Sequence, residues 1–108
     1  AEAILDTEAR IVFDATTAEA HKKHKRLFED NDKFIIDLTP AKIAPICIPS
    51  VNLKRVLKGN SVNMGSCTVQ AVIPKLVNIK NLEYVEVETP IGTISPILLS
   101  RLLTSMAI

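Results

Sequence analysis

The fold is decided by residues 11–38, which read IVFDATTAEAHKKHKRLFEDNDKFIIDL. Residues 11–13 form an apolar run between charged neighbours and predict a short buried strand. A helix is predicted to follow, with Thr16 or Thr17 as its N-cap. Residues 34–38 predict a second short buried strand. Because a helix with short connections joins the two strands, this stretch predicts a βαβ unit and a parallel sheet.

Three prolines separate this unit from the next predicted elements. Pro40, Pro45 and Pro49 favour an irregular, extended path. After them, residues 51–57 are predicted to form a short helix and residues 61–66 a loop or short strand.

The pattern changes twice in the remainder of the chain. Apolar residues recur at helical spacing over residues 67–77, and Pro74 among them predicts a kink or a short first segment. Residues 84–88 alternate between apolar and polar, as in a strand with one exposed face. Residues 94–103 are a candidate apolar helix. The chain is therefore predicted to be α/β, with a shift near residue 80 as its candidate domain boundary.

The composition excludes several classes of function. The chain has 108 residues, of which 47% are hydrophobic, and a formal net charge of +1. This charge gives no strong field to attract nucleic acid or anionic lipid. No apolar run reaches the about 18 residues that a membrane span needs, and the acidic N-terminus differs from a signal peptide. We expect a cytoplasmic domain with no nucleic-acid or membrane partner.

Cysteine and histidine, the usual residues of metal and redox sites, occur twice each. Cys47 and Cys67 lie far apart in sequence, which is more typical of free thiols in a reducing compartment than of a disulfide. No zinc-ligand spacing is present. His21 and His24 could share a metal ion on a helix, but the surrounding lysines and arginine would repel a cation. We therefore predict no metal site and interpret this part of the helix as a solvated basic face.

Cys67 lies where the predicted loop meets the predicted helix. At such a junction, free backbone N–H groups and the helix dipole favour thiolate over thiol. The same N–H groups can stabilise an oxyanion, and Gly65 allows close approach of backbone or substrate. On this evidence alone, a small core residue is the alternative interpretation.

Four motifs occur in order around this cysteine. Residues 11–18 read IVFDATTA and are followed by Ala20-His21; residues 36–41 read IDLTPA. The run of Pro45, Cys47, Pro49 and Val51-Asn52-Leu53 comes next, and residues 62–74 read VNMGSCTVQAVIP. Together they resemble the acylating acetaldehyde dehydrogenases of aromatic catabolism, relatives of aspartate-semialdehyde dehydrogenase, over roughly residues 3–77. In that family the last motif is the active-site segment, and the others are its strand-and-turn and DLTPA motifs.

The resemblance covers only the middle segment of the family and implies a partial Rossmann-like parallel sheet. Residues 1–60 would be the C-terminal part of the dinucleotide-binding domain. Residues 61–108 would be the catalytic-cysteine segment and the start of a second, α+β domain for catalysis and dimerisation.

The resemblance also implies a reaction. Cys67 would attack an aldehyde, hydride would pass to NAD, and coenzyme A would take the acyl group from the resulting thioester. Asn63 and Gln70 would hold substrate or the catalytic loop. The cofactor would be bordered by the turn after the first strand, made of Asp14, Ala15, Thr16 and Thr17. An aldolase that delivers the aldehyde would be the partner.

Three departures from the family pattern bear on activity. The glycines at 59, 65 and 92 cannot form G-x-G-x-x-G, so the phosphate-binding glycine loop is absent from this chain. Thr68 and Val69 replace two glycines, which would narrow the approach to sulfur and restrict the backbone. The resemblance also fades after about residue 77. We therefore expect a fragment or truncated homologue that is not active alone and pairs with a missing fragment or forms a homo-oligomer.

Two other interpretations stay open. The chain could be a non-catalytic binding or assembly module that has kept part of the fold. It could also be a fragment of the sibling semialdehyde or acyl-phosphate reductases, although the Asp-Leu-Thr-Pro motif and Gln70 favour the acetaldehyde branch.

Overall fold

The computed structural model describes residues 1–78, 87–89, 92–94, 101 and 104. The elements in chain order are α1 (Glu2–Leu5), β1 (Ile11–Asp14), α2 (Ala18–Glu29), β2 (Phe34–Asp37), α3 (Pro49–Val56), β3 (Ser61–Asn63), α4 (Cys67–Leu76), β4 (Val87–Thr89) and β5 (Gly92–Ile94). In the described part of the chain, no helix is long and apolar enough to cross a membrane.

The centre of the fold is a parallel three-stranded sheet in the order β1-β2-β3. Helix α2 connects β1 to β2, which confirms the predicted βαβ unit and the mixed α/β class. Thr17 is the N-cap of α2, as predicted, and its side chain accepts a hydrogen bond from the Ala20 N–H at 3.2 Å. The sheet continues across residue 60, where the resemblance implies the end of the dinucleotide-binding domain, because β3 pairs with β2.

One face of the sheet packs against α2. Ile35 is completely buried there, in a cluster with Val12 and Phe28. The prediction that residues 11–13 are all buried is wrong for two of them, since Ile11 and Phe13 are 55% and 66% exposed. Side chains alternate along a strand, and the described residues leave the opposite face of β1 uncovered.

That opposite face is covered nearer β3. Cys47, Val56 and Val62 form a buried cluster there, with Phe34 and Ile36 packed against it. The cluster brings together α3, the proline-rich segment and two strands. The short helix predicted at residues 51–57 is confirmed as α3, which begins earlier, at Pro49.

Helix α4 contains Pro74, at which the sequence predicts a kink or a short first segment. The helix continues through Pro74 to Leu76, so the proline does not divide it into segments. Pro74 lies in the last turn, where its missing N–H removes only one hydrogen bond, to the carbonyl of Gln70. Ile73, from the same helix, is buried against Ile48 and anchors α4 to the segment before α3.

The last predicted elements fall largely outside the described residues. Of the strand predicted at 84–88, residues 87 and 88 lie in β4, which pairs with β5 in antiparallel register. Most of the candidate helix at 94–103, and the boundary proposed near residue 80, lie outside the described residues.

Candidate active site

The three parallel strands each end in a buried polar residue. Asp14 ends β1, Asp37 ends β2 and Asn63 ends β3, and the sheet register pairs Asp14 with Asp37 and Asp37 with Asn63. All three are almost completely inaccessible to solvent. Since buried polar groups need partners, their contacts show how this edge of the sheet is built.

Each of the three side chains holds the turn after its own strand. In every case a side-chain oxygen accepts a hydrogen bond from the backbone N–H two residues further along, which is the Asx-turn pattern. The three contacts are Thr16 N to Asp14 Oδ1 at 3.1 Å, Thr39 N to Asp37 Oδ1 at 2.7 Å, and Gly65 N to Asn63 Oδ1 at 2.7 Å. The carboxyl edge of the sheet is therefore three Asx turns side by side.

His21 of α2 lies between the two carboxylates. Its Nδ1 is 2.9 Å from Asp14 Oδ2 and its Nε2 is 3.2 Å from Asp37 Oδ2. The second contact does not have the geometry of a hydrogen bond, so Nε2 is close to the Asp37 carboxylate but is not hydrogen-bonded to it. His24 adds a third contact, with Nδ1 3.2 Å from Asp14 Oδ2.

The prediction of a solvated basic face at these histidines is wrong. His21 is fully buried and His24 is 27% exposed. Of the neighbouring basic residues, Lys22, Lys23 and Arg26 are exposed, whereas Lys25 is part-buried and pairs with Glu29. The spacing of His21, His24 and Phe28 is that of one helix face, and this was the signal that could have located the histidines against the sheet.

Asp14 has a perturbed titration. Burial by itself raises the pKa of the carboxyl group, but hydrogen bonds from Thr16, His21 and His24 outweigh it and lower the pKa from 3.8 to about 2. The side chain is therefore a carboxylate at neutral pH, stabilised by its donors rather than by solvent.

The amide of Asn63 connects the second turn to the third. Its Nδ2 donates to Asp37 Oδ2 at 2.7 Å and to the Thr39 carbonyl at 3.0 Å. Its Oδ1 is the acceptor for Gly65 N. One side chain thus joins the end of β2 to the loop that leads into α4.

Cys67 is the first residue of α4 and is exposed. Ser66 is the N-cap, and its Oγ accepts from the Val69 N–H at 3.2 Å. The first hydrogen bond of the helix runs from Gln70 N to Ser66 O at 3.0 Å. The N–H groups of Cys67 and Thr68 precede it and have no hydrogen-bond acceptor within the helix, at the positive end of the helix dipole.

The loop before Cys67 is also held from the helix side. Gln70 Nε2 donates to the Met64 carbonyl at 2.6 Å and to the Cys47 carbonyl at 2.7 Å. Gly65 has φ +65°, and a Cβ on it would lie 3.3 Å from Val69 Cγ1. That backbone angle lies in the left-handed region that favours glycine, so the turn, the Gln70 contacts and the packing of Val69 together fix where α4 begins.

The structure brings some of the predicted site residues together. Asn63 and Gln70 both contact the loop before Cys67. The four predicted residues of the turn after β1 differ in exposure. The Asp14 carboxylate is buried and accepts hydrogen bonds from Thr16 and His21, whereas Ala15, Thr16 and Thr17 are exposed. Thr68 and Val69, which stand where the resemblance implies two glycines, both have helical backbone in α4.

The second cysteine has the opposite environment. Cys47 is buried, and burial raises the pKa of its thiol. Both cysteines are free. Among the described residues, no group of histidine, cysteine and carboxylate side chains is arranged to hold a metal ion.

Comparisons with known proteins identify relatives for most of the chain. No protein-family model matches it. It is 42% identical over 88 residues to the acetaldehyde dehydrogenase of Carboxydothermus hydrogenoformans, an alignment covering 82% of this chain and 29% of that relative. The corresponding enzyme of Chloroflexus aggregans is 43% identical over 95 residues, covering 87% of this chain and 31% of the relative.

A third relative agrees with these two. The acetaldehyde dehydrogenase of Burkholderia pseudomallei is 41% identical over 87 residues, which cover 77% of this chain and 29% of the relative. The chain thus spans less than a third of the length of the curated relatives that it matches. The resemblance predicted from the four motifs is confirmed: by sequence, the chain is homologous to a segment of the acetaldehyde dehydrogenases.

Proposed function

We propose that this chain is the nucleophile-bearing segment of an NAD-dependent acylating acetaldehyde dehydrogenase, with Cys67 as the nucleophile. One observation carries the proposal. In a chain homologous to these enzymes, Cys67 is exposed at the start of a ten-residue helix, at the edge of a parallel sheet where ligands commonly bind. In this interpretation the three-stranded sheet is the C-terminal part of a Rossmann-like domain, and the segment from residue 61 begins the catalytic part.

The proposed chemistry begins at the sulfur of Cys67. The thiolate attacks the aldehyde carbon, a C–S bond forms, and the carbonyl oxygen takes the negative charge. The N–H groups of Cys67 and Thr68 are suited to stabilise that oxyanion. When bound, NAD would accept the hydride that turns the adduct into a thioester. The acyl group then passes to the sulfur of coenzyme A, and the Cys67 thiolate is regenerated.

The residues present fit the dinucleotide only in part. Ala15, Thr16 and Thr17 are exposed at the start of α2 and are suited to border a ligand there. Asp14 is not, because its carboxylate oxygens accept hydrogen bonds from Thr16, His21 and His24. The sequence contains no G-x-G-x-x-G cradle for the pyrophosphate. We therefore assign no residue of this chain to the hydride step.

The proposal also includes the assembly, the partner and the cellular compartment of the chain. Its apolar Ile11 and Phe13 are exposed on β1, which favours function within a homo-oligomer or beside the remainder of an acetaldehyde dehydrogenase. An aldolase that supplies the aldehyde is the proposed partner. Two free thiols favour the reducing cytoplasm as the compartment.

Acetyl transfer to Cys67 tests the proposal without NAD. The folded chain is treated with S-phenyl thioacetate: sulfur attacks the acetyl carbon, thiophenolate leaves, and the mass gain is located by peptide mapping. The reference is a synthetic peptide of residues 61–72, which is too short to hold a stable helix. The free N–H groups of a helix N-terminus stabilise an anion by about 0.3–1 kcal/mol, here the oxyanion formed when sulfur adds to the carbonyl, so we expect Cys67 of the folded chain to react about twofold to fivefold faster.

Two controls make the result specific. Cys47 should stay unmodified in the folded chain because it is buried and its pKa is raised. Cys67→Ala should abolish acetyl uptake. Reaction of Cys67 no faster than the peptide would mean an ordinary exposed thiol, and would support the non-catalytic binding or assembly module instead.

A further inference from the structure

The contacts of Asp37 lead, through one intermediate side chain, to the backbone that carries Cys67. Asp37 Oδ2 accepts from Asn63 Nδ2 at 2.7 Å, and Asn63 Oδ1 accepts from Gly65 N at 2.7 Å. Gly65 is two residues before Cys67. The side chains of Asp37 and Asn63 are both buried, so water competes little for the hydrogen bond between them.

Asp37 is one of two acceptors that fix which way the Asn63 amide faces, and the Thr39 carbonyl is the other. An amide has a donor end and an acceptor end, and a carboxylate can only accept. Asp37 Oδ2 therefore accepts from the NH₂ end at 2.7 Å, shorter than the 3.0 Å contact of the same nitrogen with the Thr39 carbonyl, and this turns the amide oxygen toward Gly65 N. With the amide reversed, its NH₂ group would face the Gly65 N–H, and the Asx turn before α4 would lose its hydrogen bond.

A second group acts on the same oxygen. His21 Nε2 lies 3.2 Å from Asp37 Oδ2 and comes from α2, on the covered face of the sheet. The carboxylate thus lies between the imidazole and the Asn63 amide. It is the point at which helix α2, strand β2 and the Cys67 loop meet.

Asp14 provides a natural comparison. Like Asp37, it ends a strand, is buried, forms an Asx turn and contacts His21. Unlike Asp37, it has no hydrogen bond to Asn63 in the part of the chain that the structure describes; its Oδ2 is shared between His21 and His24. The two carboxylates therefore share a structural role and differ in their connection to the Cys67 loop.

We propose that Asp37 is a positioning residue for Cys67, acting through the orientation of the Asn63 amide. The proposal rests on the proposed function of Cys67 as a nucleophile. It assigns to Asp37 a role in reactivity that Asp14, its structural counterpart, does not have.

The test compares Asp37→Asn with Asp14→Asn in the full chain. Both variants replace a buried carboxylate by its amide, so both should lower the melting temperature. Only Asp37→Asn should reduce acetyl transfer from S-phenyl thioacetate, removing the twofold to fivefold advantage of Cys67 over the peptide of residues 61–72. Amide hydrogen exchange supplies a second readout: Gly65 N–H should lose protection in Asp37→Asn and keep it in Asp14→Asn.

An exchange of the pair separates positioning from general damage. In the double variant Asp37→Asn/Asn63→Asp, the amide at 37 can donate to the carboxylate at 63, which still accepts from Gly65 N. The carboxylate at 63 cannot donate to the Thr39 carbonyl as Asn63 does, so we expect acetyl transfer to recover in part. If Asp37→Asn does not fold, Asn63→Ala replaces it, since that variant keeps both carboxylates and His21 and should show the same loss.

The outcomes distinguish the two proposals. If the unaltered chain reacts no faster than the peptide, the nucleophile proposal fails. If it reacts faster and Asp37→Asn or Asn63→Ala retains that advantage, or Asp14→Asn loses it equally, the positioning proposal alone is overturned.

Discussion

The three parallel strands differ between their middles and their ends. In the middle of the sheet, Ile35 is completely buried in an apolar cluster with Val12 and Phe28. At the carboxyl ends, equally buried positions hold Asp14 and Asp37, whose oxygens contact histidines and backbone N–H groups. Two regions a few ångströms apart on the same strands are thus stabilised by different forces.

The two regions differ in how strictly their contacts fix the geometry of the chain. Apolar burial is non-directional and tolerates small shifts, whereas a buried carboxylate must be met by donors at fixed positions or it destabilises the protein. The strand middles therefore hold the chain together, and the strand ends define the turns, including the one that leads to Cys67. Variants in the two regions should fail in different ways.

The largest effect is expected in the middle of the sheet. Ile35→Ala removes three buried carbons from a position with no solvent exposure and leaves a cavity between the sheet and α2. We expect a loss of about 3 kcal/mol in the free energy of unfolding, measured by urea denaturation.

Ile11→Ala is the matched control, since Ile11 pairs with Phe34 on the neighbouring strand but is 55% exposed. It should change the free energy of unfolding by no more than about 0.5 kcal/mol. Equal losses in the two variants would mean that the outer face of β1 is covered in solution, and the contrast between covered and uncovered faces would be withdrawn.

Most of the sheet could be predicted from the sequence because its signals are local. Apolar runs, an N-cap threonine and short connections were enough for β1, α2 and β2, and Thr17 was identified as a possible cap. The burial of individual strand residues was not predictable in the same way. Whether Phe13 is covered depends on which element lies over that face, and no local pattern records this.

The candidate site was predicted less completely, since it depends on contacts between distant residues. Cys67 at a helix start could be recognised from sequence. The hydrogen bond between Asp37 and Asn63 joins residues 26 positions apart, and no local sequence pattern predicts a contact at that separation. His21 is surrounded in sequence by basic residues, which favour a solvated helix face, whereas its spacing from His24 and Phe28 is that of a face packed against the sheet.

The second largest effect on the free energy of unfolding is expected at the strand ends, at acidic pH. The pKa of Asp14 is lowered to about 2, below its ordinary value of 3.8. A lowered pKa means that the carboxylate stabilises the folded state above about pH 4, and that this contribution is lost as the pH falls through 2. We expect it to amount to about 2 kcal/mol, measured as the free energy of unfolding between pH 5 and pH 2.

Asp14→Asn isolates this contribution, because the amide does not titrate. The variant should be less stable than the unaltered chain at neutral pH, and the difference should shrink toward low pH. If the two proteins lose stability in parallel between about pH 4 and pH 2, Asp14 is not the group responsible, and the strand-end carboxylates are less coupled to their donors than the distances indicate.

The smallest effect on the free energy of unfolding is expected at the N-caps of the helices that follow the strands. Thr17 caps α2 and Ser66 caps α4, each three residues after a strand ends, through a single hydrogen bond of 3.2 Å. Replacing Thr17 by alanine removes that bond at an exposed position and should lower the free energy of unfolding by about 1 kcal/mol. Thr17→Ser keeps the hydroxyl group and should cost much less. A loss in Thr17→Ala as large as that in Ile35→Ala would show that the turn after β1 is coupled to the core, so that strand ends and strand middles are not energetically separate.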